Sequence, residues 1–96
     1  MRPSQALIGN HELIREIVAA HRATNPRIFG STLYARDTDT SDLDLLIDPS
    51  ERMSLLDLGA LKERLSDELG VTVDVLTPKA LPDDARDRII SEAVPV

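Results

Sequence analysis

The patterning of this chain predicts an α+β fold (α/β-like), a small mixed β-sheet packed against helices. A helix-period apolar stripe precedes two short apolar strands, and a second stripe and a third strand follow. A last helical stretch completes the order helix, strand, strand, helix, strand, helix. The 96 residues, 42% hydrophobic and 29% charged, suit one domain over 1–96 with a modest core. Helices on one face of the sheet would leave the other face for a site.

Met1 to Gly9 is weakly patterned and reads as a loose lead-in. From a cap at Asn10 through Arg22, the residues Leu13, Ile14, Ile17, Val18 and His21 recur on one helical face until Asn25-Pro26 ends it. A short strand, Arg27 to Phe29, breaks at Gly30-Ser31, and the polar loop Thr32 to Ser41 has no apolar period. Asp42-Leu43-Asp44 then opens the apolar run Leu45 to Ile47, which Pro49 closes. Ser54 with Asp57 forms a capping-box start for a helix. Leu55, Leu58, Leu61, Leu65 and Leu69 are its expected buried stripe, and Gly70 its C′ residue. Val71 to Leu76 alternates as a third strand ended by Thr77-Pro78. The last helix runs from Pro82 or Asp83 to Ala93, with Ala85, Ile89, Ile90 and Ala93 inward.

The chemistry concentrates between Ile28 and Asp48. Residues two apart in a strand share a face, so Asp42 and Asp44 project together, roughly 6–7 Å apart at their Cα atoms. Leu43, Leu45 and Ile47 take the opposite, core face. Paired carboxylates repel unless a cation sits between them, and carboxylate oxygen is the donor that hard Mg²⁺ prefers. Gly30 allows backbone to approach a ligand closely, and the Gly30 and Ser31 amides with the serine hydroxyl can address phosphate oxygens. Asp74 is a lone acid on the less apolar face of its strand, a candidate third metal ligand and base toward an attacking hydroxyl, the alternative being an edge-strand charge that discourages aggregation. An EF-hand reading from Asp37 fails, because its sixth position requires glycine and holds Asp42. His11 and His21 have no ligand partner at metal spacing and read as surface or packing residues.

Gly30-Ser31, ten residues, then Asp42-x-Asp44 resembles the GS-x10-DxD signature of the DNA polymerase beta-like nucleotidyltransferases. With the SDLDLLI context and small size, the chain looks most like the minimal nucleotidyltransferase (MNT) antitoxins, which pair with HEPN-domain toxins. The resemblance implies transfer of AMP from ATP to a hydroxyl, most simply a tyrosine, of a HEPN ribonuclease toxin. It also implies two Mg²⁺ ions on Asp42, Asp44 and Asp74, and outer phosphates cradled by Gly30 and Ser31. Family members commonly carry Arg-Gly four and five residues after the motif glycine. Here those positions are Tyr34 and Ala35, and Arg36, immediately following, stands as the candidate phosphate contact.

Composition narrows the partners. The net charge of −6 argues against general nucleic-acid binding and fits docking on a basic protein. Without cysteine there are neither disulfides nor thiolate metal sites, and only Phe29 and Tyr34 are aromatic. No signal peptide or membrane-length apolar run is visible, so a cytoplasmic location is expected. Two alternatives stand beside the transferase reading. One is a stoichiometric acidic binding antitoxin with a vestigial nucleotide site; the other is a small-molecule nucleotidyltransferase.

Overall fold

A computed structural model describes residues 1–96. Its elements are α1 (Pro3–Leu7), α2 (His11–Ala20), β1 (Ala23–Phe29), β2 (Leu43–Pro49), α3 (Leu55–Leu69), β3 (Val73–Leu76), α4 (Arg86–Glu92) and β4 (Val94–Pro95). Short 3-10 turns occupy Gly30–Thr32 and Pro78–Ala80. The strands form one mixed sheet in the order β3-β2-β1-β4, with β2 parallel to β3 and the other pairs antiparallel.

Alternation along β2 sets the layers. Leu43, Leu45 and Ile47 are fully buried, in one cluster with Ile14 and Val18 of α2, Leu61 and Leu65 of α3, and Val73 and Val75 of β3. Removing this much aliphatic surface from water is the main driving force for the fold, at about 25 cal/mol per Å². The expected capping box holds α3: Asp57 N–H donates to Ser54 Oγ at 3.1 Å, and Ser54 N–H donates to Asp57 Oδ2 at 2.9 Å. Gly70 closes that helix at φ +71°.

Several sequence expectations are corrected. The loose lead-in is the helix α1, whose Ala6 and Leu7 enter the main core; five residues are too few to display a 3.6-residue period. Asn10 precedes α2 but turns its amide back to Ala6 O at 2.8 Å instead of capping. The first strand begins at Ala23, not Arg27, because Pro26 sits beside a bulge where Asn25 takes φ +54°. Leu55, placed in the buried stripe, is 87% exposed, since the core contacts of α3 start a turn later. Pro82 to Ala85 is a turn rather than helix, and β4 was not foreseen, being only two residues long. Arg86 donates to the carbonyls of Pro78 and Leu81, at 2.8 and 2.9 Å, which fixes where α4 starts.

The sheet face expected to stay open is partly covered. Phe29, Leu46 and Leu81 form a second buried cluster with the half-buried Leu76, Ile89, Ile90 and Ala93. Thus α4 packs beside the site, on the face that Leu46 shares with Asp44.

The contrast between Leu61 and Leu55 gives a first prediction. Leu61→Ala should lower unfolding free energy by about 2–5 kcal/mol, and Leu55→Ala by less than about 0.5 kcal/mol, in urea denaturation. Equal losses would mean that the first turn of α3 is packed.

Candidate active site

The strand β1 delivers its chain into a left-handed step at Gly30, φ +79°, and the 3-10 turn Gly30–Thr32 follows. Phe29 pairs with Asp44 across the β1–β2 ladder, so the step lies directly against that carboxylate. A β-carbon at position 30 would stand 3.2 Å from Asp44 Cγ and overlap its Oδ2. Glycine is therefore required twice, by conformation and by space. The turn is tied to its loop by three backbone bonds: Leu33 N–H to Gly30 O at 3.1 Å, Ala35 N–H to Thr32 O at 3.3 Å, and Arg36 N–H to Ser31 O at 2.9 Å. Thr32 Oγ1 is buried there without a hydrogen-bond partner.

Parallel pairing of β2 with β3 puts Asp74 opposite Asp44, one strand spacing or about 4.8 Å away. Asp42 lies just before β2 and is exposed. The structure thus brings Asp44 and Asp74 side by side, Gly30 against Asp44, and Asp42 near enough that its charge acts on Asp44. Partial burial lifts the Asp44 carboxyl above its ordinary range, and the charges of Asp74 and then Asp42 push it further in the same direction. Lys62, reaching from α3 to the edge strand, is 3.8 Å from Asp74 Oδ1. No three acidic or histidine side chains close into a ready-formed metal cage. The donor chemistry nevertheless fits a hard divalent ion: carboxylates only and adjacent, with Asp44 raised in proton affinity by burial and by the charges of its neighbours.

The loop is anchored at its far side. Asp37 is buried and accepts the Ser4 N–H of α1 at 2.8 Å, a bond that holds its carboxyl below the usual range. Tyr34 hydrogen-bonds through its hydroxyl to Glu92 of α4, and the bond pushes the phenol up. The Arg36 guanidinium lies over the Tyr34 ring, 5.8 Å from its centroid. Sequence reading missed Lys62, Arg88 and Glu92 as neighbours of the site, because each reaches it from a helix that carries no motif. His21 Nδ1 lies 2.8 Å from Ile17 O within its own helix, and His11 is exposed. A cavity of about 310 Å³ between α2, the Ala23–Pro26 edge of β1 and Pro95-Val96 has Arg15 as its one charged side chain and no acidic side chain.

The crowding of Asp44 has a testable sign. An acid whose folded-state affinity for protons is raised opposes folding once ionised. The stability it leaves intact below about pH 3.9 is lost as pH rises through the raised value. In metal-free buffer, Asp44→Asn should melt above wild type at pH 7, and the difference should vanish toward pH 3. A melting difference independent of pH would contradict this electrostatic account.

Comparison with known proteins agrees with the geometry. The family described as Nucleotidyltransferase domain matches residues 12–96. The Methanocaldococcus jannaschii protein named "Putative protein adenylyltransferase MJ0435" is 42% identical over 80 residues, covering 83% of this chain and 86% of that protein. A solved structure described as a "putative minimal nucleotidyltransferase" superposes with a TM-score of 0.86 at 34% identity, covering 97% and 95% of the two chains. A toxin–antitoxin crystallised with AMP-PNP shares the fold, with a TM-score of 0.75 at 15% identity over 90% of this chain and 71% of that one. The matched span contains the Gly30 turn, the three aspartates and all four strands, and the chain belongs to the nucleotidyltransferase domain family.

Proposed function

We propose that this chain is a protein adenylyltransferase antitoxin, which neutralises a HEPN-domain ribonuclease toxin by moving AMP from ATP to a toxin tyrosine hydroxyl. The observation that carries the reading is the Gly30 step packed on Asp44 with Asp74 alongside: a strand-ending glycine turn set directly against adjacent carboxylates. Support comes from the adenylyltransferase name of the M. jannaschii relative and from the shared fold of the toxin–antitoxin that holds AMP-PNP. The net charge of −6 suits docking on a basic partner.

In this reading Gly30 and Ser31 orient the outer phosphates, with Arg36 as a further cation of the loop. Asp42, Asp44 and Asp74 would hold Mg²⁺. When bound, the metal neutralises phosphate charge and lowers the pKa of the acceptor hydroxyl. Asp74, opposite Asp44 on the edge strand, accepts the proton from that hydroxyl. The oxygen then bonds to the α-phosphorus of ATP and pyrophosphate leaves. Orientation of the reactants supplies much of the acceleration expected of such a site.

The experiment is a titration of toxin ribonuclease activity. With ATP and Mg²⁺, a sub-stoichiometric amount of the chain should silence excess toxin, and mass spectrometry should show AMP on it. Asp42→Asn/Asp44→Asn should abolish protection, and Ser31→Ala should weaken it. Full protection by the double variant with unmodified toxin would establish a stoichiometric binder instead, the alternative kept open by Tyr34-Ala35 standing where relatives carry Arg-Gly.

Asp74 separates binding from chemistry. Asp74→Asn should retain ATP affinity within about threefold and lose at least about a hundredfold in transfer rate, as for a group acting mainly in the transition state. Transfer at the wild-type rate would reduce Asp74 to an edge-strand charge.

A further inference from the structure

A cleft of about 200 Å³ opens at Gly30, between its turn and α4. Phe29, Leu33 and Ile89 line its apolar part, and Tyr34, Arg88 and Glu92 its polar part. Arg88 is the one positive side chain lining it. One carboxylate oxygen organises the polar group: Glu92 Oε2 accepts the Tyr34 hydroxyl and lies 3.6 Å from Arg88 Nη1. The Arg88 side chain is 62% exposed. An exposed pair at that separation is weak, so the guanidinium is held near the cleft yet free to exchange its partner. Phosphate is a partner of higher charge, and the planar fork of arginine meets it with two parallel hydrogen bonds. Arg36, by contrast, stacks over the Tyr34 ring and is not part of the cleft lining.

We propose that Arg88 is the terminal-phosphate contact of the nucleotide site, positioned through the Tyr34–Glu92 pair, and that it makes the chain select nucleoside triphosphates over diphosphates. The inference rests on the reading above that Gly30 and Ser31 hold the outer phosphates. A phosphate chain that starts at the acids and crosses Gly30 ends in this cleft, where its last group meets Arg88. A diphosphate has no group to place there. Tyr34 is then a positioning residue: its hydroxyl fixes Glu92, which keeps the guanidinium beside the cleft until phosphate takes its place.

The test is calorimetric titration of the full chain with ATP and with ADP in Mn²⁺. Wild type should prefer ATP. Arg88→Met should weaken ATP binding by about tenfold to a hundredfold, the range of a lost charge-assisted hydrogen bond, and leave ADP within about threefold. Arg88→Lys keeps the charge without the fork and should fall between; it carries the test should the methionine variant fail to fold. Tyr34→Phe should weaken ATP by a smaller factor, again without effect on ADP. Arg36→Met should keep the ATP-to-ADP ratio. An unchanged ratio in the Arg88 variants, or a collapse of the ratio in Arg36→Met alone, would overturn the assignment while leaving the transferase reading intact. Failure of wild type to bind ATP at all would overturn both.

Discussion

The site depends on how closely Gly30 approaches Asp44. A left-handed step without a β-carbon lets the end of β1 fold over a carboxylate on β2, and any side chain at position 30 would displace that acid. The contact joins two parts that chemistry needs together, a turn able to face phosphate and an acid able to hold a metal. It also explains why the acid is expensive: Asp44 is half-buried beside two other carboxylates and gains proton affinity as a result. The hydrophobic cluster beneath β2 supplies the stability against which that charge is kept in place.

What was legible in the sequence is what a local period or a fixed spacing can express. Alternation along β2 separated Asp42 and Asp44 from Leu43, Leu45 and Ile47, and the Gly30-Ser31 spacing located the turn. Alternation in β3 gave the face of Asp74, but only parallel register places it opposite Asp44, and register is a property of two strands. Arg88 and Glu92 were illegible for a similar reason: they lie more than fifty residues from Tyr34 on a short helix whose docking no local signal specifies. The Leu55 error has a different origin. Periodicity reports a continuous stripe, whereas burial also requires that something lie opposite each turn, and nothing covers Leu55 or Leu56 where α3 begins.

The loop between the turn and the acids is long but fastened at both flanks. Asp37 takes the Ser4 amide on one side, and Tyr34 reaches Glu92 on the other. The Thr38 N–H to Ser41 Oγ bond, at 2.8 Å, closes the segment just ahead of Asp42. These bonds connect α1, α4 and the loop into one polar framework around the site, so the short first helix serves the site as well as the core.

The division of the hydrophobic interior into two unequal clusters bears on how the protein fails. The large cluster holds α2, α3 and the sheet; the small one has three buried residues and retains α4, none of whose own residues is fully buried. Regions with so few apolar contacts open at lower free energy than the whole. Detachment of α4 would carry away Arg88, Glu92 and one wall of the Gly30 cleft while β2 and its aspartates stayed folded. On warming, α4 and its wall of the cleft are therefore expected to loosen before the main cluster and the sheet unfold.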